Sequence, residues 1–329
     1  MERVIDAYSH VGSPRYGTLN DALDNMKRYG ISKSVLVLAK TVPDFKNLFN
    51  GIRMFPDILR GIGIPFGGSP SEREALVDLQ LRAGVSGLRM EPEEVKSNPR
   101  ILERLGDAGR WIFAINPFGN SDVTEIYLNW LARFPNGRIA APHLLVTETQ
   151  MEELSKNPFV KELLSHPRFY VIFSRHGGLG SRLPYPHHDF IPWIHYVLKH
   201  AGIERVMWGS EFPVIYSRNE SMMQCREWLS QLRLDLEQEQ IQAIMHDNAE
   251  RVFFSETGPS HSDVHLPEWI DEQFDHKQFV LVYNQAPVKV PVYLYDRLLT
   301  GYLKSEELQR GDIFSQYIIN KLEQCLMAE

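Results

Sequence analysis

Cysteine is nearly missing from this chain. Cys225 and Cys325 are the only two in 329 residues, too few for a disulfide framework and in keeping with a reducing compartment. Long apolar runs are missing as well: nothing approaches the roughly 20 residues of a membrane span. The opening Met1-Glu2-Arg3-Val4-Ile5-Asp6 has no apolar stretch of the signal-peptide kind, so a folded cytoplasmic protein with no membrane partner is expected. Basic residues do not predominate. Lys and Arg number 35 against 42 Asp and Glu, and the net charge of −7 repels nucleic acid and anionic membranes. There is no low-complexity tract and no internal repeat beyond a strand–helix period. What is present is 43% hydrophobic, 23% charged and 11% aromatic residues. These are globular values that exclude a disordered, collagen-like or coiled-coil chain.

Short apolar runs recur, each followed by an amphipathic segment. They are Val4–Tyr8, Ser34–Leu38, Gly61–Ile64, Val85–Met90, Trp111–Ile115, Arg138–Ala141, Phe169–Phe173 and Arg205–Trp208. Nearly continuous apolar runs of this length suit parallel strands buried on both faces. Between them, Thr18 reads as the N-cap of a helix over Leu19 to Tyr29 that stops at Gly30. Pro70 opens a helix ending near Ala83-Gly84, and Pro99 takes a first helical position after Asn98. Asp189 and Asn219 are expected to cap the helices through Leu198 and Leu232. Eight strand–helix units describe an α/β fold, a (β/α)8 TIM barrel, with a C-terminal α-rich extension. The runner-up is a doubly wound open sheet, but no glycine-rich phosphate turn follows the first strand.

Length divided by about 150 residues suggests two domains, yet α/β barrels often use about 250 as one unit. The barrel is therefore expected over 1–255 and the extension over 256–329. The extension has strand-like Phe279–Tyr283 and Ala286–Pro291, then helices near Tyr293–Leu303 and Phe314–Met327. Roughly 70 residues are marginal for an independent core. This segment is expected to pack on the barrel or on a partner subunit, which allows a homo-oligomer.

In such a barrel the C-terminal strand ends face the active site. Strand one ends in Asp6-Ala7-Tyr8-Ser9-His10, strand four in Arg89-Met90-Glu91 and strand five in Asn116-Pro117. Strand six ends in Pro142-His143, strand seven in Ser174-Arg175-His176 and strand eight in Gly209-Ser210-Glu211-Phe212-Pro213. Two imidazoles, a carboxylate and an arginine at one mouth suffice for acid–base hydrolysis of a small molecule, with or without a metal.

The pattern resembles the amidohydrolase superfamily, in particular its amidohydrolase-2 branch of pyrone-dicarboxylate lactonases and aminocarboxymuconate-semialdehyde and resorcylate-type decarboxylases. Ile5-Asp6-Ala7-Tyr8-Ser9-His10 resembles its strand-one Asp-x-His-x-His motif, and Asn47 to Ile64 its Asn, Phe-Pro and third-strand stretch. Tyr185-Pro186-His187-His188-Asp189 resembles a Pro-Tyr-x-x-Asp segment. Val206-Met207-Trp208-Gly209-Ser210-Glu211-Phe212-Pro213 is similar to Leu-Trp-Gly-Ser-Asp-Trp-Pro, and Asn248-Ala249-Glu250-Arg251-Val252-Phe253 to the closing Asn-Ala-x-Arg-Leu-Phe.

The departures bear on chemistry. In metal-dependent relatives both strand-one histidines, a strand-five or strand-six histidine and the strand-eight aspartate are the usual ligands. Here those positions read Tyr8, His10, Asn116, His143 and Glu211. Tyrosine is a much rarer divalent-metal ligand than imidazole, so a binuclear zinc site is not expected. The resemblance leaves two options open: one zinc or manganese held by His10, His143 and Glu211, or none, as in the lactonase relatives. It implies a hydrolase of a small carboxylated lactone, ester or amide. Glu211 would be the base, and His10 and His143 would polarise the carbonyl directly or through one metal. Arg89 would anchor a carboxylate, with Tyr8, Asn116, Arg175 and His176 as further binding residues. A decarboxylase on the same scaffold and a barrel turned binding or scaffold protein are the alternatives.

Plainer readings stand beside these. Arg89 suits a strand-end salt bridge to Glu91 or Glu93 equally well, and His143 a core position. His187-His188 reads as a family structural element, Glu91, Glu93 and Glu94 as a solvated acidic turn, and His261, His265 and His276 as surface residues. Lys40 follows strand two and is long enough to reach the mouth.

Overall fold

The computed structural model describes residues 3–13, 15–174, 180–218, 220–272, 278–283 and 286–327. Its main sheet contains β1 (Val4–His10), β2 (Ile31–Val37), β3 (Leu59–Gly63), β4 (Gly87–Met90), β5 (Trp111–Ala114), β6 (Arg138–Pro142), β7 (Phe169–Phe173) and β8 (Val206–Trp208). All neighbours are parallel and follow sequence order, giving a nearly closed TIM barrel. Closure comes just beyond β8, where Glu211 N–H donates to Tyr8 O at 2.8 Å and His10 N–H to Phe212 O at 2.7 Å. Asp6 adds a side-chain tie, accepting Ser210 N–H at 2.9 Å.

Alternation along each strand divides the core. In β2, Val35 and Val37 point into the barrel, with Ile5, Ile62, Phe113 and Ile172 from other strands. Leu36 faces outward and meets the helix layer. The continuous apolar runs follow from this, because both faces of each strand are buried.

Several helix ends fall where the sequence places them. Thr18 and Asp21 form a reciprocal capping box, and Gly30 closes that helix at φ +64°, a left-handed conformation that favours glycine. Pro70 and Pro99 open helices Pro70–Arg82 and Pro99–Asp107. Asp189 does not cap helix Ile191–Ala201. It lies in the preceding turn and accepts from Ser181 Oγ at 2.6 Å and Arg182 N–H at 3.2 Å, so it ties down a loop instead. Helix Met222–Gln231 is capped by Ser221 and Gln224; Asn219 lies outside the described residues.

The chain leaves the barrel after a π-helical turn, Glu250–Phe254. Strands Gln278–Tyr283 and Ala286–Pro291 pair antiparallel, and helices Val292–Leu303, Glu306–Arg310 and Phe314–Met327 follow. Leu299, Tyr302, Phe314 and Tyr317 are buried in the same apolar core as the barrel helices. Tyr302 packs edge-on against Tyr216 of the turn Val214–Arg218, with ring centroids 5.0 Å apart. The extension thus seats on its own barrel beside the mouth. Among the described residues, no helix is long and apolar enough to cross a membrane.

Candidate active site

Three residues that follow barrel strands adopt positive φ without being glycine: Asn116 at +47°, His143 at +62° and Glu211 at +56°. Such a conformation costs on the order of 1–3 kcal/mol and persists only where surrounding contacts enforce it. At Glu211 the enforcing bonds are Glu211 N–H to Tyr8 O and Phe212 N–H to Ser210 Oγ at 2.9 Å. They hold a carboxylate only 1% exposed at the mouth.

Glu211 gathers the charged groups of the site. Its Oε1 lies 3.5 Å from His143 Nε2, and its Oε2 lies 3.7 Å from Arg218 Nη2. Ser174 Oγ accepts His143 N–H at 3.0 Å and lies 3.0 Å from His143 Nδ1. The serine hydroxyl can donate to Nδ1 or accept from it, and the Glu211 carboxylate facing Nε2 favours the first arrangement. That places the imidazole proton on Nε2, facing Glu211.

His10 is arranged differently. Its Nδ1 is 2.7 Å from Val37 O, and a carbonyl only accepts, so Nδ1 carries the proton and Nε2 presents a lone pair. Burial and then the nearby Arg89 charge lower its pKa to about 3, although Glu211 acts the other way. It is therefore a neutral acceptor at ordinary pH. Of the two expected routes, direct polarisation of a carbonyl needs a donor at Nε2 and does not suit this tautomer. Its ring stacks on Tyr16 at 4.6 Å, and the Tyr8 ring meets His10 and His143 edge-on at 5.1 and 4.7 Å.

Arg89 reaches this cluster but is ion-paired. Nε and Nη2 hold Glu91 Oε1 at 3.0 and 2.8 Å, the plainer of its two expected roles. Burial alone would lower its pKa; Tyr8, Glu91 and Tyr16 outweigh that and raise it. Asn116 does not join the cluster. It is exposed, and its amide folds over Gly119, where an added Cβ would lie 2.3 Å from Nδ2. The acidic turn is not wholly solvated either: Glu94 is buried and pairs with Arg73 at 2.9 Å and Lys40 at 3.8 Å, so Lys40 is engaged there. His187 bonds Leu183 O at 2.9 Å and lies 3.4 Å from Glu220, a structural arrangement. His261 and His265 are exposed. Arg175, His176 and His276 lie outside the described residues.

Sequence reasoning passed over Arg218 and Ser174. Ser174 follows the seventh strand and stands in its strand-end run, where sequence reasoning assigned it no role. Arg218 lies seven residues past Glu211 in a helical turn, and the only signal available was its loop.

The amidohydrolase family profile matches residues 53–254, more than half of the chain. This chain is a member of the amidohydrolase family. Among solved structures, it is similar to a protein from Pseudomonas putida assigned as a 2-pyrone-4,6-dicarboxylic acid hydrolase. Identity there is 22%, covering 75% of this chain and 96% of that one, with a TM-score of 0.56. A Burkholderia multivorans amidohydrolase with bound zinc is 16% identical, covering 75% and 98%, with a TM-score of 0.57. An uncharacterised TIM-barrel protein from Bordetella bronchiseptica is 15% identical, covering 76% and 98%, with a TM-score of 0.52. No curated protein matches. At these identities the structures establish the shared fold, and the family match establishes the hydrolase class.

The family's metal does not suit this amidohydrolase's donor set. Among the described residues no group of three or more His, Cys, Asp or Glu is arranged to hold an ion, which gives no support to the single-metal option at His10, His143 and Glu211. The physical reasons are local. The Tyr8 ring packs against both imidazoles, and the Arg218 guanidinium stands 3.7 Å from the carboxylate that a cation about 2 Å away would have to share.

Proposed function

We propose that this amidohydrolase cleaves a small carboxylated lactone, ester or amide by direct water attack, with Glu211 as the general base. The observation that carries this reading is the buried Glu211 carboxylate, set between His143 Nε2 and Arg218 at the barrel mouth. A carboxylate held this way takes a proton from water as the water oxygen bonds to the carbonyl carbon. It returns that proton to the leaving oxygen or nitrogen when the acyl bond breaks. His143 Nε2–H and Arg218 are the donors nearest the charge that develops on the carbonyl oxygen. His10 Nε2 accepts a hydrogen bond from water or from a substrate hydroxyl.

Arg89 supports the carboxylated class of substrate. It holds Glu91 through Nε and Nη2 and keeps Nη1 outside that pair, and a guanidinium fork matches a carboxylate. The Pseudomonas relative's assignment makes 2-pyrone-4,6-dicarboxylate the first substrate to assay. Ring opening is followed by loss of the pyrone absorbance. Glu211→Gln is expected to lower turnover by about 10²- to 10⁴-fold while substrate binding changes only a few-fold. Retained turnover in the variant refutes the assignment of the base. Elemental mass spectrometry of chelator-free protein accompanies the assay, and stoichiometric zinc or manganese lost in Glu211→Gln overturns the metal-free reading. The decarboxylase alternative uses the same groups and is separated by release of carbon dioxide.

A further inference from the structure

At the opposite end of the barrel, where the strands begin, lies a cavity of about 190 Å³. Its volume is on the order of six water molecules. Its lining includes the segment 255–259, where the chain leaves the barrel, and Trp111 at the start of β5. Strands of four to five residues rise about 3.3 Å per residue, so this cavity stands roughly 15 Å from the mouth.

Four arginines line it: Arg60 of β3, Arg110 just before β5, Arg138 at the start of β6 and Arg251 of the closing turn. The single carboxylate residue in the lining is Glu256, which is exposed. In a chain of net charge −7 this concentration of positive charge runs against the whole.

None of the four guanidiniums is neutralised by a salt bridge among the described residues. Arg60 donates to backbone carbonyls, including Phe253 O at 2.8 Å and Glu256 O at 3.1 Å. The carboxylates that act on it, Asp57 and Glu250, lie outside this lining. Arg251 donates to Glu204 O and to Asn248 Oδ1 at 3.3 Å. Arg138 lies over the Trp111 ring, 5.6 Å from its centroid. Arg110 is the most exposed in its need: its Nε is buried without a hydrogen-bond partner, and burial lowers its pKa with no carboxylate acting against it. Water would satisfy the Arg110 donor but supplies no counter-charge to a lining of four arginines. A compact oxyanion supplies both acceptor and charge, and arginine forks match its oxygens in pairs.

We propose that this basal cavity is an anion site for a phosphate-class oxyanion, either free or as the head of a phosphomonoester. The site is separate from the amidohydrolase mouth and does not rest on the catalytic reading given to it. The Arg110 Nε–H is the donor in the lining that lacks an acceptor, while the arginine–tryptophan stack gives one wall against which the carbon portion of a monoester can lie.

The test is isothermal titration of the full chain with inorganic phosphate and, separately, with glycerol 3-phosphate at low ionic strength. One saturable site is expected, weakening as chloride is added. Arg110→Gln and Arg138→Gln should each weaken it by about tenfold or more, the usual range for a charge-assisted bond. Arg218→Gln, at the mouth, should leave the isotherm unchanged. Tighter binding of phosphate identifies the free anion as occupant, and tighter binding of the monoester identifies the esterified head. Because the Arg110 side chain holds nothing in place, its variants should melt as wild type does; Arg110→Lys, which keeps the charge, should retain most of the binding. No saturable binding, wild-type affinity in both basal variants, or loss confined to Arg218→Gln overturns the proposal.

Discussion

Replacing Asp6 with asparagine is expected to remove a pH dependence of stability worth about 3 kcal/mol. Asp6 is fully buried in β1. Its Oδ1 accepts Ser210 N–H at 2.9 Å and Tyr8 N–H at 3.1 Å, and its Oδ2 accepts the Ser210 hydroxyl. Burial raises its pKa from 3.8 to about 6, although each of those donors lowers it. The folded chain therefore binds this proton more tightly than the unfolded chain does. The stabilisation is fully present below pH 3.8 and is lost as pH rises through about 6. A gap of about 2 pH units at about 1.4 kcal/mol each gives the 3 kcal/mol, to order of magnitude. Asp6→Asn has no such proton. Urea denaturation of both proteins from about pH 4 to pH 8 should show the difference in unfolding free energy moving toward the variant by about 2–3 kcal/mol as pH rises. A difference that stays constant with pH, or moves the other way, refutes the idea that burial outweighs the three donors. The outcome bears on the mouth as well, since Asp6 ties β1 to the segment carrying Glu211.

Two further outcomes follow from the histidines. His10, with its pKa lowered to about 3 by burial and Arg89, should show no imidazole titration between pH 5 and pH 8 by NMR; a midpoint in that window contradicts its assignment as a neutral acceptor. Ser174→Ala leaves His143 N–H and Nδ1 without their shared partner, so a loss of about 1–3 kcal/mol in stability is expected from denaturant melts. Turnover of the proposed ester or lactone should fall by about tenfold or more as the imidazole loses its orientation, and an unchanged rate would remove Ser174 from the site.

The strand-end rule located most of the mouth. His10, Glu211, His143, Tyr8 and Arg89 all follow or end apolar runs, and the fold brings them within one cluster. It failed at Asn116, whose side chain turns back over Gly119 although its backbone has the positive φ shared by His143 and Glu211. It also failed to find Arg218, because a residue in a helical turn after the last strand carries no periodic mark of where its side chain ends. The basal arginines illustrate the same limit. Successive members of the set Arg60, Arg110, Arg138 and Arg251 are 28 to 113 residues apart, and they meet because parallel strands begin on one face and the closing turn returns to it.

Local chemistry was thus enough to determine the barrel. Continuous apolar runs, capping boxes at Thr18 and Ser69, and helix-opening prolines act over a few residues, and parallel strands in sequence order need little more. The family resemblance lay in the same local record. What tertiary structure alone decided is which charges face one another. It paired Arg89 with Glu91 and Lys40 with Glu94, gave His10 its tautomer through Val37, and set Arg218 against Glu211. It also seated the extension on the chain's own barrel through Tyr302 and Tyr216. Electrostatic and hydrogen-bond partners are fixed by distances of a few ångströms across segments remote in sequence, and hydrophobic periodicity encodes which face is buried, not what that face will meet.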